Sequence, residues 1–530
     1  MCHREDTAAA RGVYAPLHII VKPRNSNVKG KNMMELNNLF LYTTRILLIL
    51  FSLQFFSVSG VHAQGILTLD KALEIASENS PDIKRTSLNL ERSREMLNAQ
   101  NARLKSQFRL TLNPFTYSRD KTFNNSLSSW ISTDSKSSQG TFTISQPIKQ
   151  TDGTLSLNNR FSWQDSFSDF RDIRDKAFNN NLYLSFDQPI FTYNRTKLEL
   201  RELELDLEST TLTFAIQKLS LERQVTQSFY SVYQNKSNLD ITKEELRNNE
   251  QNYEIIKNKV DAGLLALEEI YQAELNLATS KSSVQNREVS LENALDNFKL
   301  LIGLPLSQTL IIEAEISTEP VEVDLDKALQ NALKSRMELR QNQINLENAQ
   351  FALIRTEAQN EFRGNLSLSY GLTGNDENLT NIYDAPTNRQ AVGISLEIPL
   401  WDWGEKESRV KATQATIKRQ ALTLDDERNN ITLAIREQYR NLQNLVNQIE
   451  ISRQSVRNAE LTYEINVERY KNGDLTGMDL NLFQTQLSQR RISLAQTQID
   501  YKLALLNMKI ISLYDFERNQ PVIPDDIIGN

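Results

Sequence analysis

The pentapeptide Leu69-Asp70-Lys71-Ala72-Leu73 returns unchanged as Leu325-Asp326-Lys327-Ala328-Leu329, an offset of 256 residues. Leu88-Asn89-Leu90-Glu91 returns as Ile344-Asn345-Leu346-Glu347 at the same offset. The chain is therefore an internal duplication, and such a repeat sets the architecture into which every local motif has to fit. Farther along, the offset falls to 210: Gln188-Pro189-Ile190-Phe191 pairs with Ile398-Pro399-Leu400-Trp401, and Tyr253-Glu254-Ile255 with Tyr463-Glu464-Ile465. The difference between 256 and 210 places about 46 extra residues in the first copy, between roughly Leu110 and Phe186.

Glycine and proline are absent between Pro189 and Gly263, between Gly263 and Gly303, between Gly404 and Gly473, and between Gly477 and Pro521. Read as helices rising about 1.5 Å per residue, the first and third of these segments reach on the order of 100 Å. Helices of that length need lateral partners along their whole course. The partner surface is written as a heptad: Val225, Phe229, Val232, Lys236, Leu239, Lys243, Leu246, Glu250 and Tyr253 in the first copy. Ile435, Tyr439, Leu442, Val446, Ile449, Arg453, Val456, Glu460 and Tyr463 repeat it in the second. A sustained seven-residue period predicts left-handed coiled-coil packing, with the polar seam positions setting register. An ordinary antiparallel coiled coil would have the same pattern, but Gln438, Asn441, Gln443 and Asn444 on the other faces suit a helical wall wetted on both sides.

Each long helix is expected to end at a glycine turn, Asp261-Ala262-Gly263-Leu264-Leu265 in one copy and Lys471-Asn472-Gly473-Asp474-Leu475 in the other. Glycine takes the left-handed conformation that closes a helix. An equally long helix is expected to return from each turn, with Glu268, Glu269 and Asp479 in the first turns, where carboxylates suit the helix dipole.

The period changes to two elsewhere. Leu182, Leu184 and Phe186 alternate with Tyr183, Ser185 and Asp187; Leu366, Leu368 and Tyr370 with Ser367 and Ser369; Ile394, Leu396 and Ile398 with Ser395 and Glu397. Such segments are strands with one apolar face. A soluble antiparallel sheet fits them, and so does a barrel whose apolar side meets lipid. The surplus of the first copy reads as a further hairpin, Thr141 to Ile148 and Thr154 to Trp163, which preserves the direction in which the chain leaves the sheet. Four strands are expected in the first copy and two in the second, with outer loops near Phe123 to Ser137, Ser166 to Asn180 and Asn375 to Arg389.

The apolar run Ile46 to Phe56 follows Arg45 and precedes the small residues of Val61-His62-Ala63. It predicts an export signal cut between Ala63 and Gln64, being too short for a membrane-spanning helix. Met33 or Met34 is a more natural start than Met1. Cys2, His3, His18 and His62, the only cysteine and histidines, all lie before the cut. The remainder then has no thiol or imidazole chemistry and no Cys/His metal site. Seven of the 60 Lys/Arg and three of the 67 Asp/Glu are also removed, so the remainder carries about −11. That acidity argues against nucleic acid, whose phosphates select a basic face. Nothing suggests a glycosidase cleft for paired carboxylates. No enzyme activity and no cofactor are expected.

The order signal, helix, strands, long helix, glycine turn and returning helix, run twice, resembles the TolC family of outer-membrane efflux proteins. The likeness is carried by the two Leu-Asp-Lys-Ala-Leu openings, the strand ends Gln188-Pro189-Ile190-Phe191 and Ile398-Pro399-Leu400-Trp401-Asp402-Trp403-Gly404, the glycine turns, and Leu301-Ile302-Gly303-Leu304-Pro305. It covers about residues 65 to 516. The resemblance implies an α+β membrane protein: a homotrimeric transmembrane β-barrel continuous with a long periplasmic α-helical barrel, built from two structural repeats. It implies residues 1–63 as extension and signal, 64–320 and 321–516 as the repeats, and 517–530 as a tail. Segments between Leu304 and Val323, with residues after Leu513, would form a belt around the helices.

Function, on this resemblance, is passive conduction through the outer membrane, as the exit duct of a tripartite efflux or type I secretion system. The implied partners are two further copies, a periplasmic adaptor (membrane fusion) protein, an inner-membrane pump of RND or ABC type, and outer-membrane lipid. Gly263, Leu264, Leu265, Gly473, Asp474 and Leu475 would meet the adaptor. Asp261, Asp474 and Asp479 could form rings at a periplasmic gate, although helix capping explains each of them as well. A periplasmic coiled-coil adaptor or scaffold with a soluble sheet is the competing class. Three features depart from the family. Members commonly supply four strands per protomer, so six imply eighteen in the trimer or a hairpin folded over the mouth. There is no N-terminal cysteine for a lipid after the cut, and the second copy ends in Leu513-Tyr514-Asp515-Phe516 in place of Gly-Leu-Pro.

Overall fold

The structure, a computed structural model, describes residues 66–169, 172–313 and 319–522. The expected export signal, with Ala63 and Gln64, lies outside these residues. The first copy runs through β1 (Ile66–Leu67), α1 (Leu69–Asn79) and α2 (Pro81–Arg103). Four strands follow: β2 (Gln107–Asn124), β3 (Ser129–Ile148), β4 (Gly153–Ser168) and β5 (Ile173–Ile190). Then come α3 (Arg195–Asp261), α4 (Glu268–Ile302) and β6 (Ile311–Ile312). The second copy has α5 (Leu325–Ser335), α6 (Met337–Glu357), β7 (Arg363–Asp376), β8 (Thr387–Glu397), α7 (Glu405–Asn472) and α8 (Gly477–Ser512), closed by β9 (Tyr514–Asp515) and β10 (Gln520–Pro521).

The two offsets reappear as element boundaries. α1 and α5, α2 and α6, and β2 and β7 begin 256 residues apart, while α3 and α7 begin 210 apart. β3 and β4 have no counterpart, and they are the surplus hairpin. All six long strands form one antiparallel sheet in the order β2-β3-β4-β5-β7-β8. β5 against β7 joins the copies, with Leu184 opposite Tyr370 and Phe186 opposite Leu368. The hairpin thus widens the sheet between β2 and β5.

Two expected outer loops are corrected. Phe123 to Ser137 and Ser166 to Asn180 are mostly strand, and the chain reverses tightly after Asn124 and after Ser168. Cross-strand ion pairs replace apolar contacts where the alternation fades: Arg119 with Asp134 at 2.8 Å, and Arg174 on Asp165. The third reversal, between β7 and β8, does contain a loop, with a 3-10 turn at Asn381–Tyr383.

The returning helices are also shorter than expected. α3 and α7 have 67 and 68 residues, whereas α4 and α8 have 35 and 36. The sheet-proximal half of each long helix is covered by α2 or α6, so long-range pieces of chain supply the lateral support. Where α1, α3 and α4 meet, Ala72, Ala76, Val225 and Phe298 are 0% exposed. Their offset partners Ala328, Ala332, Ile435 and Met508, where α5, α7 and α8 meet, are 0% exposed too. Duplicated sequence has become duplicated core. The seam alternates apolar and polar contacts, and its polar members reach outward: Lys243 to Glu288 at 2.9 Å, and Arg491 to Glu460 at 3.0 Å. β1 pairs in parallel with β6 beside the first core, where Lys236 donates to the Ile312 carbonyl at 3.3 Å.

The long helices start differently in the two copies. Asp402 caps α7 locally, accepting from the backbone N–H of Gly404 at 3.0 Å and of Lys406 at 3.1 Å. These bonds hold its carboxyl below the ordinary value. The offset counterpart of Asp402 is Thr192, and α3 is capped locally by Asn194, whose amide oxygen accepts from the Lys197 N–H at 2.7 Å. Asp152, in the turn of the surplus hairpin, adds a second cap, accepting from the Thr196 N–H at 3.1 Å and from Arg195 Nε at 3.3 Å. Burial opposes its ionisation, but the bonds from Thr196 and Arg195 outweigh it and lower its pKa. A carboxyl with a lowered folded-state pKa stabilises above the unfolded value and loses that contribution as pH falls through the folded one. Asp152→Ala is therefore expected to lose about 1 kcal/mol at pH 7, with the difference from wild type vanishing at acid pH. Thermal unfolding in detergent at both pH values checks this, and equal midpoints at pH 7 would refute it.

Candidate functional site

Both glycine turns lie at the same end of the molecule, because α3 and α7 run in the same direction from the sheet. At the first, the Leu264 N–H reaches the Lys259 carbonyl at 2.8 Å and the Gly263 N–H the Val260 carbonyl at 2.8 Å. At the second, Asp474 reaches Arg469 at 2.9 Å and Gly473 reaches Tyr470 at 3.1 Å. Both are Schellman closures with glycine at positive φ, 73° and 87°. Leu265 and Leu475 are half-buried and pack on one small shared core of Ile256, Ala273, Tyr470 and Leu480. Leu264 and Asp474, equivalent by offset, point away and are exposed, Leu264 by 73%. The turns are locked side by side by Lys259, whose Nζ donates to the Tyr470 carbonyl at 3.4 Å and lies 4.8 Å from the centre of its ring.

A cavity of about 360 Å³ opens between the turns, lined by Lys259, Leu265, Glu269, Tyr470, Asp474 and Asp479 among others. Burial pushes the Tyr470 hydroxyl up, and nearby Glu269 adds to the shift. Of the three aspartates singled out from sequence, Asp474 and Asp479 border this cavity and Asp261 does not. Asp479 is engaged in capping: its N–H donates to Thr476 Oγ1 at 3.2 Å, and that hydroxyl donates back to its carboxylate at 2.7 Å. Sequence reading missed the apolar continuation of the turn. Leu267 just before α4, Tyr271 and Leu275 on α4, and Met478 and Leu482 on α8 are all exposed. Their four-residue spacing was the available signal.

The opposite end is a sheet with unlike faces. One face carries Phe108, Leu110 and Leu112 of β2, Leu155 and Leu157 of β4, Leu182 and Leu184 of β5, Leu368 and Tyr370 of β7, and Val392 and Ile394 of β8, all exposed. On β4 this apolar band runs from Leu155 to Trp163, nine residues, the length a tilted strand needs to cross a bilayer. Beyond it, toward the β2–β3 and β4–β5 turns, the same face becomes charged at Arg119, Asp134, Asp165 and Arg174. The other face is Ser, Thr, Asn and Gln almost throughout, with Thr143 Oγ1 donating to Asn158 at 2.9 Å and Thr373 Oγ1 to Asn181 at 2.8 Å. An apolar exterior and a hydrogen-bonding interior are what a membrane barrel requires. Among the described residues no helix is long and apolar enough to cross a membrane.

The family model described as "Outer membrane efflux protein" matches residues 154–304 and 328–510, more than half of the chain. The chain is 21% identical over 370 residues to the outer membrane protein TolC of Salmonella enteritidis, covering 67% of this chain and 73% of that protein. Among solved structures, the CmeC outer membrane channel of Campylobacter jejuni aligns with a TM-score of 0.64 at 15% identity, over 86% of this chain and 87% of that one. The outer membrane protein VceC of Vibrio cholerae aligns with a TM-score of 0.62 at 14% identity, over 86% and 97%. Both likenesses concern the fold.

Proposed function

We propose, on the premise that this chain belongs to the outer membrane efflux protein family, that it is the exit duct of a tripartite efflux or type I secretion system. The protein is an outer-membrane efflux channel whose helices extend into the periplasm. In the proposed role it passively conducts solutes delivered by a periplasmic adaptor and an inner-membrane pump of RND or ABC type.

The observation that supports a duct is the six-stranded sheet, with an apolar face outside, a polar face inside, and unpaired edges at β2 and β8. Open edges cannot persist in hydrocarbon, where every backbone group needs a partner. Pairing β8 of one protomer with β2 of the next closes the sheet, and three copies give a barrel of eighteen strands. Exposed Leu422, Leu433, Ile451, Leu461 and Ile465 along α7 are the surface that neighbouring copies cover. A soluble adaptor or scaffold would have no use for the apolar belt on the sheet.

The two turns are the docking end. Gly263 and Gly473 shape them, Leu265 and Leu475 anchor them, and Leu264 and Asp474 present them to an adaptor's helical hairpins. Asp261, Asp474 and Asp479, repeated in the trimer, ring the closed periplasmic mouth. The test is a deletion strain complemented with wild type or with the double substitution Leu264→Glu, Asp474→Lys. Deletion is expected to sensitise cells to at least one compound of a panel of detergents, dyes and metal salts. The double variant is expected to be as sensitive as the deletion while still running as an unheated trimer in the outer membrane. Full resistance in the variant would sink the docking assignment. A wild-type protein found soluble in the periplasm would sink the duct itself.

A further inference from the structure

On the polar face of the sheet, five cross-strand pairings carry one row of residues from Arg109 through Thr143, Asn158, Tyr183 and Gly371 to Arg389. The adjacent row runs from Thr111 through Thr141, Arg160, Asn181 and Thr373 to Thr387. These two rows hold three arginines and no carboxylate. The acids of that face lie off them, Asp187 and Glu397 toward the helices and Asp120 and Asp175 toward the outer turns.

We propose that Arg160 and Arg389 form a binding site for a carboxylate- or phosphate-bearing solute in the lumen, which rests on the duct reading in that the polar face lines the pore. The two arginines border one hollow of about 250 Å³, together with Asn181, Tyr183, Gly371 and Thr373. Gly371 keeps it open. A Cβ there would come within 2.5 Å of Tyr183 Cβ and 2.6 Å of the Leu182 carbonyl oxygen, so no side chain can fill the space beside the ring. The lining presents donors. Asn181 accepts the Thr373 hydroxyl at 2.8 Å through its amide oxygen, which leaves its NH₂ to donate.

The guanidinium groups are uncommitted. Elsewhere on the sheet Arg119, Arg174 and Arg363 each hold a carboxylate, from Asp134, Asp165 and Glu397. Among the described residues Arg160 and Arg389 have none. Guanidinium forks match two oxygens of one carboxylate or phosphate, a geometry a lone ammonium does not offer. A pore walled by low-dielectric strands also focuses the field of an unpaired cationic belt, raising the local concentration of anions. The hollow joins strands of both copies, since Arg160 is on β4 and Arg389 on β8. The surplus hairpin therefore contributes half of the site.

The test compares the purified trimer with Arg160→Gln, Arg389→Gln, both variants being checked for trimer migration before heating. Calorimetric titration with succinate and with inorganic phosphate is expected to give millimolar binding to wild type and at least tenfold weaker binding to the double variant. In planar bilayers under a KCl gradient, the chloride-to-potassium permeability ratio is expected to fall at least threefold in the variant. Binding of succinate alone or phosphate alone names the anion and supports the site. Equal titrations and equal permeability ratios for wild type and variant would overturn it while leaving a conducting channel intact. A wild type that neither binds either anion nor conducts fails on both counts, and only the missing current bears on the duct.

Discussion

Phe229→Ala is expected to lower stability by about 3–5 kcal/mol, the range for deleting a fully buried aromatic side chain. Phe229 is 1% exposed and sits where α1, α3 and α4 converge. Its ring stands edge-on to Phe298 at 6.0 Å and to Tyr230 at 5.8 Å. Ala72 and Ala76 bring α1 close, but they have no atoms with which to fill the space left behind. The cavity would lie at half-height of α3, where its partner changes from α2 to α4. Chemical unfolding in detergent micelles should show a large fall in midpoint and a loss of heat-resistant trimer. A change below about 1 kcal/mol, the level of an ordinary surface substitution, would show that the junction is not a structural node.

The second large effect is expected at Gly303, which closes α4 with φ 77°. Its left-handed backbone lets the Leu304 N–H reach the Lys299 carbonyl at 2.8 Å. A Cβ at this position would also lie 2.4 Å from the carbonyl oxygen of Asn79, at the end of α1. Gly303→Ala thus adds overpacking of about 1–3 kcal/mol to the left-handed strain of about 1–2 kcal/mol. Gly263 has nearly the same φ, 73°, yet nothing lies within 4 Å of an added Cβ. Gly263→Ala should therefore suffer the strain alone. Thermal midpoints of the two variants separate the terms, and equal losses would show that the Asn79 contact relaxes without cost.

The offset counterpart of Gly303 shows why packing, not residue preference, had the final word. Leu513 takes the same left-handed conformation, φ 52°, although it carries a full side chain. It is 4% exposed and belongs to a core cluster with Met337, Ile344 and Leu205. Burial of that side chain offsets the strain, and the nearby Ser512 hydroxyl accepts from the Tyr514 N–H at 3.2 Å. Sequence alone marked this closure as a departure; it did not reveal that the geometry was kept.

Legibility followed the range of the forces involved. The glycine turns and the period-two strands depend on residues within a few positions of each other, and these were readable from residue order. The duplication and its shift from 256 to 210 located the surplus hairpin without any structure. The lengths of the returning helices were misjudged, because the support of α3 and α7 comes from α2 and α6, far away in sequence. Strand was taken for loop around Ser132 and Asp175 because ion pairs and polar contacts sustain those strands where hydrophobic alternation fades. The exposed row Leu267, Tyr271 and Leu275 was visible in its spacing and passed over.

Sequence by itself determined a twofold plan of strands and long helical hairpins, with turns at one end, since local backbone preference and repetition need no knowledge of distant neighbours. Tertiary structure alone decided which strands lie side by side, that Asp152 of the surplus hairpin adds a second cap to α3 by holding Thr196, 44 positions away, and that Arg160 meets Arg389 across one hollow. Those outcomes depend on sheet register, and register is settled by the summed fit of whole strands and not by any residue that could be read singly.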